Sequence, residues 1–596
     1  MENSITSALR RNNLDKSSSP YLLQHTDNPI WWQEWREDLI RYAKEVNKPL
    51  FVSVGYATCH WCHVMAAEAF SDKDTADYLN EHFISIKIDR EQRPDIDQFM
   101  MDFINKQDGR GGWPLNVFLT PSLHPVFALT YAPAGAQDSK YSFLSVAKQV
   151  YEYFEKNSDK IQPFTPGENR PPAANEHSII KTLSQYYDPH NGGFGISQKF
   201  PSHTTLLYLL YQLSLGESPT IENICTRTLD AMSLRGLHDH LQGGIFRYCT
   251  DNEWTIPHFE KMLYDQAMAL WVYSLAYKII GKQQYKRMAE GILRCLAENF
   301  ETDGLYISAH DADTDHEEGM TYLWSYHELS EVLTPEEFTR FTGTYYITET
   351  GNFEGMNHLI RKNSIQLDDV EGKLLALRKS RKQPSSDDKI LSGVNALVAI
   401  GLIQASRLLD NASLEEKAAR LVRNILSKFW DGNSLGHSFY KGTIQKQGFL
   451  FDAAALLTAI SMLSENDTAW ISLKDEVEKL VESFKEGERW TESKAEDFTT
   501  VYASWFDHPI PSSVSLALMG LARSSLVSGK DLPLIKYQQP FQCDFYNTTA
   551  MIHNGLFHIY TTVKYIDWTL LPANSIQIRG EHEQDCFMGV CSPLSF

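Results

Sequence analysis

The chain has 596 residues, 42% of them hydrophobic and 22% charged, with a formal net charge of -21. That length exceeds what one hydrophobic core supports, so two or three domains are expected, and the globular composition excludes general disorder. The acidic balance and the lack of a long basic run exclude a nucleic-acid backbone or an anionic membrane surface as a main partner, since both require clustered lysine and arginine.

Residues 1–19 hold no apolar stretch of signal-peptide length, and no uninterrupted run of about 18 apolar residues occurs, so a cytoplasmic protein without a membrane span is expected. Eight cysteines in a chain this long do not form a disulfide framework. Two pairs stand apart, Cys59 with Cys62 and Cys586 with Cys591.

In chain order, Trp32, Trp35, Leu39, Ala43 and Val46 recur at steps of three and four and predict an amphipathic helix ending near Pro49. Leu50 to Val54 reads as a buried strand broken at Gly55, and His63 to Phe70 as helix. Thr75 to Asn80 is helical, Phe83 to Ile88 a strand, Ile96 to Ile104 a helix, and Asn116 to Leu119 and Val126 to Leu129 are strands. Alternation of this kind before a final hairpin predicts an α/β domain with a mixed sheet, residues 1–161.

Within it, Cys59-His60-Trp61-Cys62-His63 lies between a strand and a helix. A helix N-terminus lowers the pKa of the first thiol, so Cys59 is the expected nucleophile, more exposed and more acidic, and Cys62 the resolving thiol. His60 and His63 add positive charge when protonated, and Trp113-Pro114 stands where thioredoxin-like folds place a cis-proline beside the dithiol. The pattern also satisfies Cys-x-x-Cys-His haem attachment, and Cys59, Cys62 and a histidine are chemically sound zinc ligands. A redox-inert pair is the remaining alternative. The working dithiol is preferred, with no metal and no cofactor.

Residues 162–175, with Pro163, Pro166, Pro171 and Pro172, read as a linker. From 176 to 596 helical stripes dominate: 179–186, 262–280, 288–300, 397–409 and 450–463. Glycine and aromatic punctuation interrupts them at Gly192 to Gly195, Gly243 to Phe246, Gly304 to Tyr306 and Gly432 to Tyr440. Repeated helix pairs are expected, with an irregular helical domain as the alternative.

Several ionisable residues cluster beside this punctuation. Thr255-Ile256-Pro257 reads as a helix entry with Thr255 as cap. His258 would then stand at the helix mouth as acid or base, oriented by Glu260 or Asp265, with Tyr264 in the next turn. Asp239, His240, Arg247 and Tyr248 flank Gly243-Gly244, and Trp254 offers a face for stacking on a sugar. The stretch 257–265 is expected to share one cavity with Arg247-Tyr248 and with Asp311 and Asp313. A structural role in joining hairpins is the competing reading of all these groups. The run from Asp311 to Glu318 lacks the glycine and glutamate of an EF-hand, because its sixth and twelfth positions are His316 and Tyr322. At the C-terminus, Cys586 and Cys591 suit a small disulfide loop that relays electrons, or two free thiols.

A wider resemblance covers most of the chain. It is carried by Ser19-Pro20-Tyr21-Leu22-Leu23-Gln24-His25, Gly55 to Met65, Ile88-Asp89-Arg90-Glu91, Gly111-Gly112-Trp113-Pro114, Pro257 to Asp265, Asp311-Ala312-Asp313 and Asp387-Asp388-Lys389. These segments resemble the YyaL and spermatogenesis-associated protein 20 family. The resemblance implies a thioredoxin-like domain fused to an all-α (α/α)6 toroid, six-hairpin glycosidase-like and similar to N-acylglucosamine 2-epimerases. It departs from the family pattern at Val394-Asn395-Ala396, Phe451-Asp452-Ala453, Pro511 to Ser515 and His310. Three functions follow as expectations: a redox dithiol coupled to a saccharide-binding toroid, a sugar epimerase or isomerase with a structural cap, or a non-catalytic scaffold. The corresponding partner is a small saccharide or a thiol.

Overall fold

The computed structural model describes residues 9–135, 141–166 and 176–530, apart from positions 217 and 508, together with parts of 558–593. The N-terminal domain is a four-stranded sheet, β1 (Leu50–Gly55), β2 (Ile84–Asp89), β3 (Leu115–Leu119) and β4 (Pro125–Leu129), in the order β2-β1-β3-β4. β1 runs parallel to β2 and antiparallel to β3, and β4 closes a hairpin on β3. β1, β2 and β3 are buried along their whole length, which accounts for their Leu, Ile, Val and Phe, and the polar residues among them are buried too, Lys87 of β2 donating to Ser53 of β1 at 3.1 Å. Flanking the sheet are α1 (Glu37–Glu45), α2 (His60–Ala67), α3 (Lys73–His82), α4 (Pro94–Asp108) and α5 (Phe143–Asn157). This is a thioredoxin-like domain.

One element departs from the periodic reading. The helix predicted from Trp32 onward begins only at Glu37. Gln33 instead extends β2's edge, donating from its backbone to Ser85 and accepting from Lys87 at 2.9 Å each. Pairing with the sheet outweighs the helical spacing of Trp32 and Trp35, and Trp32 is fully buried.

The second domain is a helical toroid. Five helices are buried on nearly every face: α7 (His203–Leu215), α9 (Leu263–Ile280), α11 (Ser392–Leu409), α13 (Leu450–Ser464) and α15 (Ser513–Val527). Each packs against the next along the ring. A helix apolar all round belongs inside a larger core. Amphipathic partners form the outer layer, α6 (Glu176–Tyr186), α8 (Pro219–Leu234), α10 (Gln283–Cys295), α12 (Ala412–Phe429) and α14 (Ile471–Glu482). The described residues thus hold five outer–inner pairs. α11 is the one described helix long and apolar enough to cross a membrane, but 94% of it is buried in the protein, as a core helix is.

Between α10 and α11 the chain adds helices Tyr326–Val332, Pro335–Thr344 and Asp368–Ser380, which close a satellite core around Trp324 and Phe341. A C-terminal sheet sets Cys586 directly opposite Cys591 in antiparallel register. The expected thiol chemistry of that pair lies outside the described residues.

The two domains are tied by ionic contacts, one part-buried and one fully buried. Arg93 reaches Asp497 at 2.7 Å while also binding Asp95, and Trp35 donates to the Asp497 carbonyl. Lys389, fully buried, touches Asp89 of β2 at 2.8 Å, Glu91 at 3.0 Å and Asp387 at 3.0 Å. The thioredoxin-like domain therefore sits over the loop end of the toroid, and its cysteine motif faces toroid side chains.

Candidate functional site

Gly55 ends β1 because a side chain there would collide with Tyr21 and lie 2.8 Å from the Cys62 sulfur. The chain then turns through Tyr56-Ala57-Thr58 into α2. Cys59 caps that helix, its Sγ accepting the Cys62 backbone N–H at 3.2 Å, so unpaired helix N–H groups point at sulfur. Cys59 and Cys62 are joined as a disulfide. The expected contrast in exposure is absent: Cys59 is 3% exposed and Cys62 1%, because both belong to the main core. Trp61, between them in sequence, is the exposed residue of the motif, its ring tilted against Tyr131. Trp113–Pro114 is a cis peptide, and the Trp113 ring lies under the Arg90 guanidinium at 3.9 Å.

The toroid supplies the opposite wall. Glu260, fully buried, accepts hydrogen bonds from Tyr56 and from Thr58, each at 3.1 Å, so it grips the turn immediately before Cys59. His258 places Nδ1 2.5 Å from Glu318 and Nε2 3.7 Å from Glu260, and its ring centre is 6.0 Å from that of His60. Burial opposes a charge on His258, but Glu318 and Glu260 hold its pKa above the ordinary histidine value. His60 sets Nδ1 3.0 Å from Asp313, and that hydrogen bond raises its pKa too. His63 donates from Nε2 to the Ala57 carbonyl at 2.8 Å and turns Nδ1 toward Asp313 at 3.6 Å and Asp311 at 4.0 Å. The donor atoms of His63, Asp311 and Asp313 all lie within 4.8 Å of one another.

His258 is not at a helix mouth. Pro257–His258 is a strand paired with Tyr248–Cys249, and α9 begins only at Leu263. The capping signature at Thr255 is local, whereas the pairing that overrides it joins two segments of a longer loop. Thr255 and Ile256 instead donate their backbone N–H groups to Asp251. Arg247 binds Asp265 at 3.0 Å, lies 3.7 Å from Glu260, and covers the Tyr264 ring. Tyr248 packs between His258 and Phe200. Burial, partly offset by Arg247, pushes the Asp265 carboxyl up to about 6.

Three expected ligand contacts are buried and held by protein partners. Asp239 is buried between Lys261 at 2.6 Å and both guanidinium nitrogens of Arg378 at 2.8 Å. His240 turns Nε2 to the Arg235 carbonyl at 3.1 Å, and burial drives its pKa down. Trp254 is fully buried, donates to the Gly192 carbonyl, and would strike any side chain at Gly193 at 2.6 Å, so its ring is no platform for a sugar. That close approach explains glycine at position 193, where φ is +77°.

The residues brought together are thus Cys59, His60, Cys62, His63, His258, Glu260, Asp311 and Asp313, with Arg247, Tyr248, Tyr264 and Asp265 behind them. Glu318, Tyr56 and Thr58 belong to the same constellation. They escaped the sequence reading because nothing local links them to their partners: His258 and Glu318 lie 60 residues apart, and Thr58 and Glu260 lie 202 apart. A second buried group lies deeper between the domains: His437 binds Asp452 at 2.8 Å, and burial pushes Glu492 up to about 7.

The family described as Thioredox_DsbH, "Protein of unknown function, DUF255", matches residues 11–166. Spermatogenesis-associated protein 20 of Rattus norvegicus is 32% identical over 535 residues, covering 77% of this chain and 68% of its own. Cellobiose 2-epimerase of Bacteroides fragilis is 36% identical over 73 residues, 12% of this chain and 19% of its own. The structure of cellobiose 2-epimerase from Spirochaeta thermophila DSM 6192 overlaps 63% of this chain and 81% of its own at 13% identity, with a TM-score of 0.40.

Proposed function

The chain belongs to the spermatogenesis-associated protein 20 family, and from that footing we propose that it is a thiol–disulfide oxidoreductase acting on small disulfides, its dithiol completed by the toroid. The observation that carries this reading is Cys59 at the N-cap of α2, its sulfur accepting the Cys62 N–H, while toroid Glu260 fixes the turn before it. A helix N-terminus favours thiolate over thiol. The Cys59 thiolate attacks one sulfur of a substrate disulfide and expels the other half as thiolate. Cys62, after giving its proton to solvent, then attacks Cys59 and expels the second half, so two electrons pass to the substrate and the Cys59–Cys62 disulfide remains. Burial of both sulfurs favours a small partner over a protein surface. Cys225, Cys249 and Cys295 are free, which suits a reducing cytoplasm. We divide the chain for this purpose into a redox domain at 1–161, a linker at 162–175 and a toroid at 176–596.

The test is stoichiometric. Reduced wild type mixed with a chromogenic aryl disulfide should release two equivalents of aryl thiolate and close the Cys59–Cys62 bond. Cys62→Ser should release one and retain the other half as a mixed disulfide on Cys59. Cys59→Ser should fall to the background set by the Cys59→Ser/Cys62→Ser double variant. Equal fast release from wild type and that double variant would refute the assignment.

A second reading is favoured by the 73-residue likeness to a cellobiose 2-epimerase: the toroid binds a saccharide, with His258 and Glu318 as its polar contacts. A thermal-shift panel of mono- and disaccharides, repeated with His258→Ala, tests it. A shift that His258→Ala abolishes in a folded variant supports this reading, and no shift in wild type removes it.

A further inference from the structure

We infer that His63, Asp311 and Asp313 form a binding site for a first-row divalent metal ion, placed beside the dithiol and built from both domains. The argument starts from one hydrogen atom. His63 Nε2 lies 2.8 Å from the Ala57 carbonyl oxygen, which only accepts, so Nε2 carries the ring hydrogen. In the neutral ring Nδ1 is then a lone pair, and it faces carboxylate oxygens of Asp313 at 3.6 Å and Asp311 at 4.0 Å. Asp313 also takes His60 Nδ1 at 3.0 Å and Asp311 Oδ1 the Asp313 backbone N–H at 3.3 Å, so both carboxylates are held in place, and a cation entering beside Nδ1 meets three oxygen and nitrogen acceptors at once. Metal–nitrogen and metal–oxygen bonds of about 2.0–2.2 Å allow donors roughly 3–4 Å apart to share one ion.

The surroundings have the pattern that holds metal ligands in place. A ligating histidine usually gives its other N–H to a carbonyl or carboxylate, and ligating carboxylates are themselves hydrogen-bonded. Here Ala57 takes the His63 hydrogen, Ser385 Oγ donates to Asp311 Oδ2 at 2.8 Å, leaving Oδ1 toward His63, and His60 Nδ1 braces Asp313. One imidazole with two carboxylates suits zinc, iron or manganese better than a soft thiophilic ion or calcium. The Asp313 side chain is 11% exposed and that of His63 25%, so an ion has a way in. Neither sulfur is required as a ligand, which separates this site from a Cys59–Cys62 zinc site and makes it independent of the redox reading.

A proton on Nδ1 is the competitor, and binding measurements separate the two. Chelator-treated protein, held in the Cys59–Cys62 disulfide form, is titrated calorimetrically with Zn²⁺ and with Mn²⁺. Wild type should take up one equivalent. His63→Ala and Asp311→Asn should each weaken binding by at least about tenfold, and Ser385→Ala, which alters only the bracing hydrogen bond, by about tenfold. Circular dichroism identifies any variant that fails to fold, and Ser385→Ala keeps the test open in that case. With Co²⁺, visible d–d bands should appear without a thiolate charge-transfer band. Absence of stoichiometric uptake by the disulfide form would overturn the inference. So would affinity unchanged in folded His63→Ala, or uptake only after reduction of the cysteines.

Discussion

Lys389→Met is expected to lower the stability of the folded chain by about 3–5 kcal/mol, the range for breaking a buried ion pair by removing one partner. The lysine is fully buried and holds three carboxylates, Asp89, Glu91 and Asp387, within 3.0 Å. Two of them belong to the thioredoxin-like domain and one to the toroid, so the loss falls on the joint between domains. Burial opposes the ammonium charge, but the carboxylates raise the Lys389 pKa well above its ordinary value. For Glu91 burial again opposes charge, and Lys389 with Arg90 nevertheless holds it below the ordinary range, whereas burial raises Asp387. In the variant the methionine fills the space and leaves Asp89 and Asp387 without their ammonium partner and Glu91 with Arg90 alone, so the folded-state pKa values of the cluster rise. A group shifted that way contributes stability at low pH and loses it as pH rises through the folded pKa. The deficit relative to wild type should therefore be larger at pH 8 than at pH 5.5. Urea unfolding at both values measures it, and a deficit under about 1 kcal/mol at pH 8 would show that the cluster does not join the domains.

How far the sequence disclosed this arrangement depended on how local each signal was. β1 was legible because Leu50-Phe51-Val52 and Val54 form a short apolar run ended by Gly55, and β2 because Ile84, Ile86 and Ile88 recur at every second position. α9, α11 and α13 were legible because a helix enclosed in a ring is apolar all round. The cysteine motif was legible because strand, turn and helix follow one another within a few residues. The toroid residues were found as types but not as partners. Asp239, flanking a glycine pair, has the look of a cleft acid, yet its bidentate cation Arg378 comes from an inserted helix 139 residues away. Trp254 looked like a sugar platform until Gly193 was seen to lie against its ring. Thr255-Ile256-Pro257 obeyed every helix-entry rule, and a two-residue strand pairing with Tyr248–Cys249 overrode them. At the domain interface no short-range signal exists, since Glu260 reaches Thr58 and Lys389 reaches Asp89 only through the docking of one domain on the other.

Asp239→Asn decides between a cleft acid and a strut, and it should behave as the removal of a strut. The carboxylate is 3% exposed and accepts Lys261 at 2.6 Å and two parallel Arg378 hydrogen bonds at 2.8 Å. Burial works against its charge, but Arg378 and Lys261 depress its pKa well below the ordinary carboxylate value. A depressed pKa contributes stability that is present above the unfolded value near 3.8 and lost only as pH falls through the folded one, so the contribution is complete at neutral pH. The amide is nearly isosteric but neutral, leaving two buried cations side by side, and the expected loss is about 3–5 kcal/mol. Arg378→Met should cost less, because Lys261 then still pairs with Asp239. The order of the two losses, read from urea unfolding at pH 7, is the diagnostic. If Asp239→Asn instead retains wild-type stability while altering a saccharide-induced thermal shift, Asp239 faces a ligand and the enclosed ion pairs do not govern that part of the toroid.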